Sequence, residues 1–472
     1  MPLSLPAPLG VTVMPEWFQH EGIVPVLDRI AALGATAIAT SPYVLERAPQ
    51  CEGAREPPPD GEAGRVRPLD RPLFGATELW VRTAPAFAHD RARYAGLRYQ
   101  PSPPSPLTQR HAGLLDRVLD AARERGIAVY LQVMAASPPG YRVQFSGAVE
   151  ADQCRTPDGT LHTARVDRNA SLASRDVQRY TAALVSELAA RYPGVAGFRL
   201  DWPEYPPYDF TSALFDFNPA MAPHFAAAGH APDAVAGEVR HWRDGLVDAV
   251  RAAAQGDAQA YGAILDAHDF AALTCDDGPL APLFRAKRSA TRELLAAVRA
   301  ALDAVPGPRR RLELQAFPPP FSTMSGFPLG ALDGIADAVG IKLYTMHWPM
   351  IARYWARDLA GDAAAPATLD ALTAAIALRF GFTDALGDGA RLRYPEPHEA
   401  HPVGARAQQA KLAAARELAD TVPVIAFVHS YGPLADVVAR FDLARATGLP
   451  LWINRYGYLS DAKLAALAAG RH

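Results

Sequence analysis

The stretch SRDVQRYTAALVSELAARYPGVAGFRLDW, Ser174 to Trp202, decides the fold. Its first part, SRDVQRYTAALVSELAARYP, repeats apolar residues at helical spacing behind Ser174, a good N-cap. Pro193 and Gly194 stop that helix. VAGFRLDW then reads as a short buried strand. A helix leading directly into a strand is half of a βαβ unit, because parallel neighbours need crossover helices.

Working outward, the same unit recurs. Upstream lie strand 1, GVTVMPEW near Val11 to Glu16, and the helix IVPVLDRIAAL, ended by Gly34. Strand 2 is ATAIATSPYV, Ala35 to Val44. The helix HAGLLDRVLDAARERG precedes strand 3, IAVYLQVMA. Downstream come strand 5, RLELQAF, strand 6, AVGIKLYTMHW, strand 7, VPVIAFVHSYG, and strand 8, PLWINRYGY. The last helix, SDAKLAALAAG, is capped at Ser460. Eight alternating units predict an α/β fold, a (β/α)8 TIM barrel. A doubly wound sheet is the other arrangement of such units. It would carry G-x-G-x-x-G after strand 1, and that motif is missing, as is G-x-x-x-x-G-K-[ST].

Two long insertions interrupt the pattern, roughly 45–109 and 208–305. The first contains EPPPDGEAGRVRP and YQPSPPSP, which cannot be regular structure. A second polar stretch runs from about Ser137 to Ala173. With 472 residues the chain is long for one core, but barrels with insertions exceed about 400 residues. The expectation is a single catalytic barrel over 1–472, its insertions elaborating the C-terminal face.

Composition narrows the function. Hydrophobic residues are 49%, charged residues 21% and net charge −3, so nothing points to nucleic acid or an anionic membrane surface. No apolar run reaches a membrane span. The opening MPLSLPAPLGVTVMPEW lacks the basic and apolar regions of a secretory signal. Three scattered cysteines, Cys51, Cys154 and Cys275, argue against a disulfide framework and a zinc knuckle. A cytoplasmic setting is expected. No H-E-x-x-H, EF-hand loop or Cys/His cluster is present, so no metal or cofactor is called for.

Strand parity selects the inward side chains. On strand 4 these are Arg199 and Asp201, since Leu200 belongs to the helix layer. Strand 5 offers Glu313 and Gln315, strand 3 Tyr130 and Gln132, strand 6 Lys342 and Tyr344. His429, Asn454 and Glu16 come from strands 7, 8 and 1. Burying so many polar groups dry would cost a few kcal/mol each, so a wet polar pocket at the barrel mouth is expected. Sugar hydroxyls need such a lining. Trp17, Trp202, Tyr205, Tyr208, Trp348, Tyr431 and Tyr456 fall at or after strand ends, where aromatic faces can stack on sugar C–H groups, though each can equally be packing.

Glycoside hydrolysis uses two carboxyl groups. Asp201 is the candidate nucleophile or charge stabiliser, with Arg199 beside it. Glu313 is the first candidate acid and Glu204 the second. Trp202 and Tyr205 join Arg199, Glu16, Gln132, Gln315, Lys342, Tyr344, His429 and Asn454 as candidate substrate contacts. Each has a structural alternative. Asp201 and Arg199 can form a rim ion pair, Glu313 can pair with Lys342 or Arg199, Glu204 can be a solvated loop residue, and His429 can be a satisfied rim histidine. His347 falls on the opposite face from Tyr344.

The segment GFRLDWPEYPPY, Gly197 to Tyr208, resembles the strand-4 motif of the α-amylase superfamily. The resemblance implies a nucleophile at Asp201 with Arg199 two residues earlier. It also implies an acid on strand 5, which Glu313 matches. RYPGVAGFRLDWPEYP is similar to hypothetical glycosyl hydrolase-like barrels, with Ala196 where that pattern has its first Asp. The His-Asp pair after strand 7 is replaced by His429-Ser430, and the strand-3 motif is absent from YLQVMAASPP. The resemblance therefore implies a glycoside hydrolase-like barrel with a carbohydrate substrate, without making it an α-amylase. The competing readings are a carbohydrate-binding barrel that does not hydrolyse, and a barrel lyase or isomerase using Lys342 or His429 as base.

Overall fold

The computed structural model describes residues 8–58, 67–142, 147–162, 170–253, 256–384 and 386–470. Its strands, in chain order, are β1 (Leu9–Thr12), β2 (Ala37–Thr40), β3 (Tyr43–Ala48), β4 (Ala54–Glu56), β5 (Leu79–Pro85), β6 (Ala128–Met134), β7 (Gly197–Asp201), β8 (Arg311–Ala316), β9 (Ala338–Leu343), β10 (Val424–His429) and β11 (Leu451–Asn454). Eight of them close a parallel barrel in the order β1–β2–β6–β7–β8–β9–β10–β11, with β11 pairing back to β1. This is the expected (β/α)8 architecture.

Local chemistry sets the joints. The Ser174 hydroxyl caps the helix Arg175–Arg191 by accepting from the Val177 amide at 3.3 Å. Gly34 ends the helix Ile23–Leu33 with φ of 74°, a conformation glycine adopts without strain. Ser460 caps Asp461–Ala469.

Four expected elements differ. Strand 1 stops at Thr12, and Pro15 opens the helix Pro15–His20, so Glu16 sits on a helix. Proline fits a first helical turn because no partner is needed there for the missing N–H. Strand 2 breaks at Ser41 and Pro42, and its last part begins β3. Strand 6 ends at Leu343, and the chain turns into the helix His347–Ala360. Strand 8 ends at Asn454, ahead of a short turn at Tyr456–Tyr458. The first insertion is also more ordered than its prolines suggest. It holds an antiparallel sheet, β3–β5–β4.

Register puts Gln132 beside Arg199 and Arg199 beside Glu313. Gln315 faces Gly340, and Lys342 faces Phe427. Trp452 lies level with Gly10 and Phe427. The barrel interior therefore has two levels. The lower level is sealed by Ala37, Ala39, Tyr130, Ala338, Ile425, Phe427 and Trp452. A Cβ on Gly10 would overlap the Trp452 indole, so that position has room only for glycine. Outside the strands a larger apolar core joins barrel and helices. No helix among the described residues is long and apolar enough to cross a membrane.

Candidate active site

Asp201 is the last residue of β7 and opens onto the barrel mouth, its side chain 19% exposed. Three donors hold it. The Gln132 amide donates to Oδ2 at 3.3 Å, the Trp202 backbone N–H donates to Oδ1 at 3.0 Å, and Lys342 Nζ lies 3.2 Å from Oδ1. Trp202 has φ of 54°, a conformation that costs a non-glycine residue about 1–2 kcal/mol. Backbone strain of this kind often marks a site where geometry matters more than stability.

A cleft of about 510 Å³, counting space open to solvent, lies over this end of the barrel. Asp201, Gln132 and Asn454 line it, as expected from parity, and so does Trp202, expected as an aromatic just after a strand end. So do Met14, Pro58, Met134 and Tyr141, together with two arginines, Arg142 and Arg455. Asp201 is the carboxylate among these described lining residues. Among the described residues no group of three or more His, Cys, Asp or Glu could hold a metal ion.

The other two candidate carboxyls lie elsewhere. Glu204 is fully buried. It accepts from the Phe317 N–H at 3.1 Å, the Ser325 hydroxyl at 3.0 Å and Lys342 Nζ at 3.2 Å. Burial pushes its carboxyl above the usual range, while Lys342 and the Phe317 N–H pull it back. Asp201 and Glu204 each lie 3.2 Å from the same ammonium. Their nearest oxygens are thus separated by at most twice that distance, but a cation stands between them rather than an open sugar site. Glu313 lies one level down, 4% exposed, where it accepts from Arg199 Nη2 at 2.9 Å. The Arg199 guanidinium in turn stacks on Trp452, 3.5 Å from the ring centroid. This is the Arg199–Glu313 ion pair that the sequence allowed as an alternative.

The remaining candidates divide by depth. Gln315 donates to Gln132 Oε1 at 3.3 Å, which extends an amide chain from Gln315 through Gln132 to Asp201. Tyr344 stands just beyond β9 against His429 and Phe427, and burial raises its phenol with Asp201 adding to the shift. His429 is buried, and burial holds its imidazole well below the usual range, with Arg67 adding to this. Its Nδ1 accepts from the Tyr431 N–H at 3.0 Å. Tyr205 is core. Its hydroxyl accepts from the Leu172 N–H at 3.1 Å. Trp17, Trp348, Tyr431 and Tyr456 are buried in the same core. Glu16 is fully buried beneath the cleft, bonded to Tyr43 and Arg142.

Parity reasoning missed the two arginines. Arg455 follows the strand end and so has the wrong parity. Arg142 belongs to the polar stretch after β6, which has no periodicity to read.

No protein-family model and no curated protein matches the chain. Solved structures do match in fold. A β-galactosidase from the psychrophilic Marinomonas ef1 aligns with a TM-score of 0.51 and 11% identity, over 98% of this chain and 58% of its own. The chain thus spans little more than half of that enzyme. The catalytic domain of a β-amylase from Paenibacillus polymyxa aligns at 0.46 and 10% identity, over 98% and 97%. A family 1 β-glucosidase from Thermotoga maritima aligns at 0.34 and 11%, over 95% and 88%. The structural neighbours are glycoside hydrolases with the TIM-barrel fold, and the likeness is one of fold.

Proposed function

We propose that this chain is a glycosidase, one catalytic barrel whose insertions at about 45–109 and 208–305 shape the C-terminal face. The observation that carries the proposal is Asp201. It is a carboxylate at a strand end, fixed by three donors and open to a cleft of mixed polar and apolar lining. Substrate chemistry in these barrels is done at that end. Asp201 is assigned to the nucleophile or charge-stabilising role, which needs a well-oriented oxygen and no proton to give. Gln132, Trp202 and Asn454 are assigned to substrate contact.

Glu204 and Glu313 act as positioning residues in this reading. Glu204 anchors Lys342, which steadies Asp201, and Glu313 neutralises Arg199. Neither meets the sugar. Leaving groups that depart without a proton should then react fastest.

The test is turnover of nitrophenyl glycosides, followed by oligosaccharides, with the purified chain and with Asp201→Asn. Activity lost in the variant while the fold stays intact supports the proposal. A second reading, binding without hydrolysis, is favoured by the occupied state of both other carboxyls. It wins if saccharides bind and no aryl glycoside turns over. Neither Lys342 nor His429 lines the cleft, which weighs against a lyase or isomerase base there.

A further inference from the structure

Asp201 is held unevenly. Its Oδ1 takes two donors, the Trp202 N–H at 3.0 Å and Lys342 Nζ at 3.2 Å. Its Oδ2 takes the Gln132 amide alone, at 3.3 Å. A carboxylate oxygen has two lone pairs, so Oδ2 is the oxygen with capacity left for a sugar. One side-chain amide orients it, and that amide is oriented in turn.

The chemistry of Asp201 sets the direction of the chain. An ionised carboxylate only accepts, so Gln132 must turn its NH2 toward Asp201. The Gln132 oxygen then faces the other way and meets the Gln315 NH2 at 3.3 Å. A Gln315 amide turned over would set two oxygens against each other. Gln315 thus locks the orientation of Gln132, although it is only 2% exposed and stands outside the described lining of the cleft. Gly340, level with Gln315 on β9, has no side chain to wedge it from that strand. Hydrogen bonding therefore sets the amide there. At the far end of the chain, Gln315 Oε1 is buried with no hydrogen-bond partner among the described residues. So is Arg199 Nη1, a donor on the neighbouring strand β7. Both amides in the row point their donors toward Asp201.

We infer that Gln315 is a positioning residue for Asp201: through Gln132 it fixes Oδ2 as the oxygen presented to the sugar, without meeting the sugar itself. This rests on the reading of Asp201 as the reacting carboxylate and assigns the oxygen that reacts.

The experiment compares the full chain with Gln315→Met and Gln315→Glu. Steady-state turnover of a panel of nitrophenyl glycosides is followed from about pH 4 to about pH 8, with a thermal melt of each protein. Methionine keeps the length of the side chain and loses both polar groups. Gln315→Met should lower kcat about tenfold at every pH, the effect of one oriented hydrogen bond. Its KM should not change, and its Tm should stay close to the parent's. The carboxyl of Gln315→Glu donates to Gln132 while protonated. Once ionised it can only accept, and Arg199 Nη1 can donate to it. The kcat of Gln315→Glu relative to the parent should therefore fall as pH rises, about tenfold across that ionisation. A merely structural Gln315 would move Tm in both variants and leave the Gln315→Glu ratio level. Parental kcat in Gln315→Met, or a level ratio in Gln315→Glu, overturns the inference and leaves the glycosidase reading standing. A parent that turns over no glycoside overturns both.

Discussion

Arg199 and Asp201 sit two residues apart on one strand and point the same way, yet they belong to different environments. Arg199 is 2% exposed, paired with Glu313 and closed over by Trp452. Asp201 meets Lys342 at the rim, lines the cleft and keeps a fifth of its side chain open. Both are charged pairs on a barrel wall. One is sealed inside the barrel, while the other opens on the cleft. Parity selects the face, and depth along the strand decides what a side chain on that face can do.

The sharpest way to break this contrast is Asp201→Asn, which should cut turnover about a thousandfold or more. Its unfolding midpoint should stay close to that of the parent. If the variant unfolds, Asp201 belongs with the sealed pair. The complementary change is Arg199→Met. It leaves buried Glu313 with only the half-exposed Arg311, 4.0 Å away, as a cation and should cost about 3 kcal/mol in denaturant unfolding. Sugar binding by the molecules that remain folded should be unchanged. A smaller test of the seal is Gly10→Ala, whose methyl collides with Trp452. Overpacking of this kind costs about 1–3 kcal/mol, and it should loosen the Arg199 level before it disturbs Asp201.

Asp358 supplies an intermediate case, with 22% of its side chain exposed. It accepts from the Phe210 N–H at 3.1 Å. Burial, helped by Asp209, pushes its carboxyl up to about 6. Its folded form therefore holds a proton more tightly than the unfolded chain. Stability is lost as pH rises from about 4 to about 6, and the loss persists above that range. Asp358→Asn has no charge to bury. It should be more stable than the parent at pH 7, by about 1 kcal/mol after allowance for solvent screening. That advantage should vanish at pH 4 in paired thermal melts.

The eight strands and their inward faces were legible because period-2 alternation survives wherever a strand is flanked by helices. Gln132, Arg199, Asp201, Glu313, Gln315 and Lys342 all follow it. Glu16 did not, because alternation was extended through Pro15, where a helix begins. The sheet β3–β5–β4 was obscured by surrounding proline and glycine, although LWVRTAP alternates. Depth was the larger gap. Nothing in RLELQAF says that Glu313 lies below the cleft, since the height of a residue depends on register with β7. Glu204 follows a strand end in a Pro-rich turn, and its enclosure depends on Phe317 and Ser325, more than a hundred residues away. Arg142 owes its position wholly to tertiary contacts.

The pairing of β1 with β11 also has a consequence in time. Leu9, Gly10 and Val11 find their partners at Leu451, Trp452 and Ile453. Loop closure over such a separation is slow. A nascent chain emerging from the ribosome exposes one edge of β1 until β11 has been made, and Trp452 arrives with it to seal the lower level of the barrel. Until then the arginine destined for the dry interior stands in water, and the early strands depend on whatever shields an open sheet edge during synthesis.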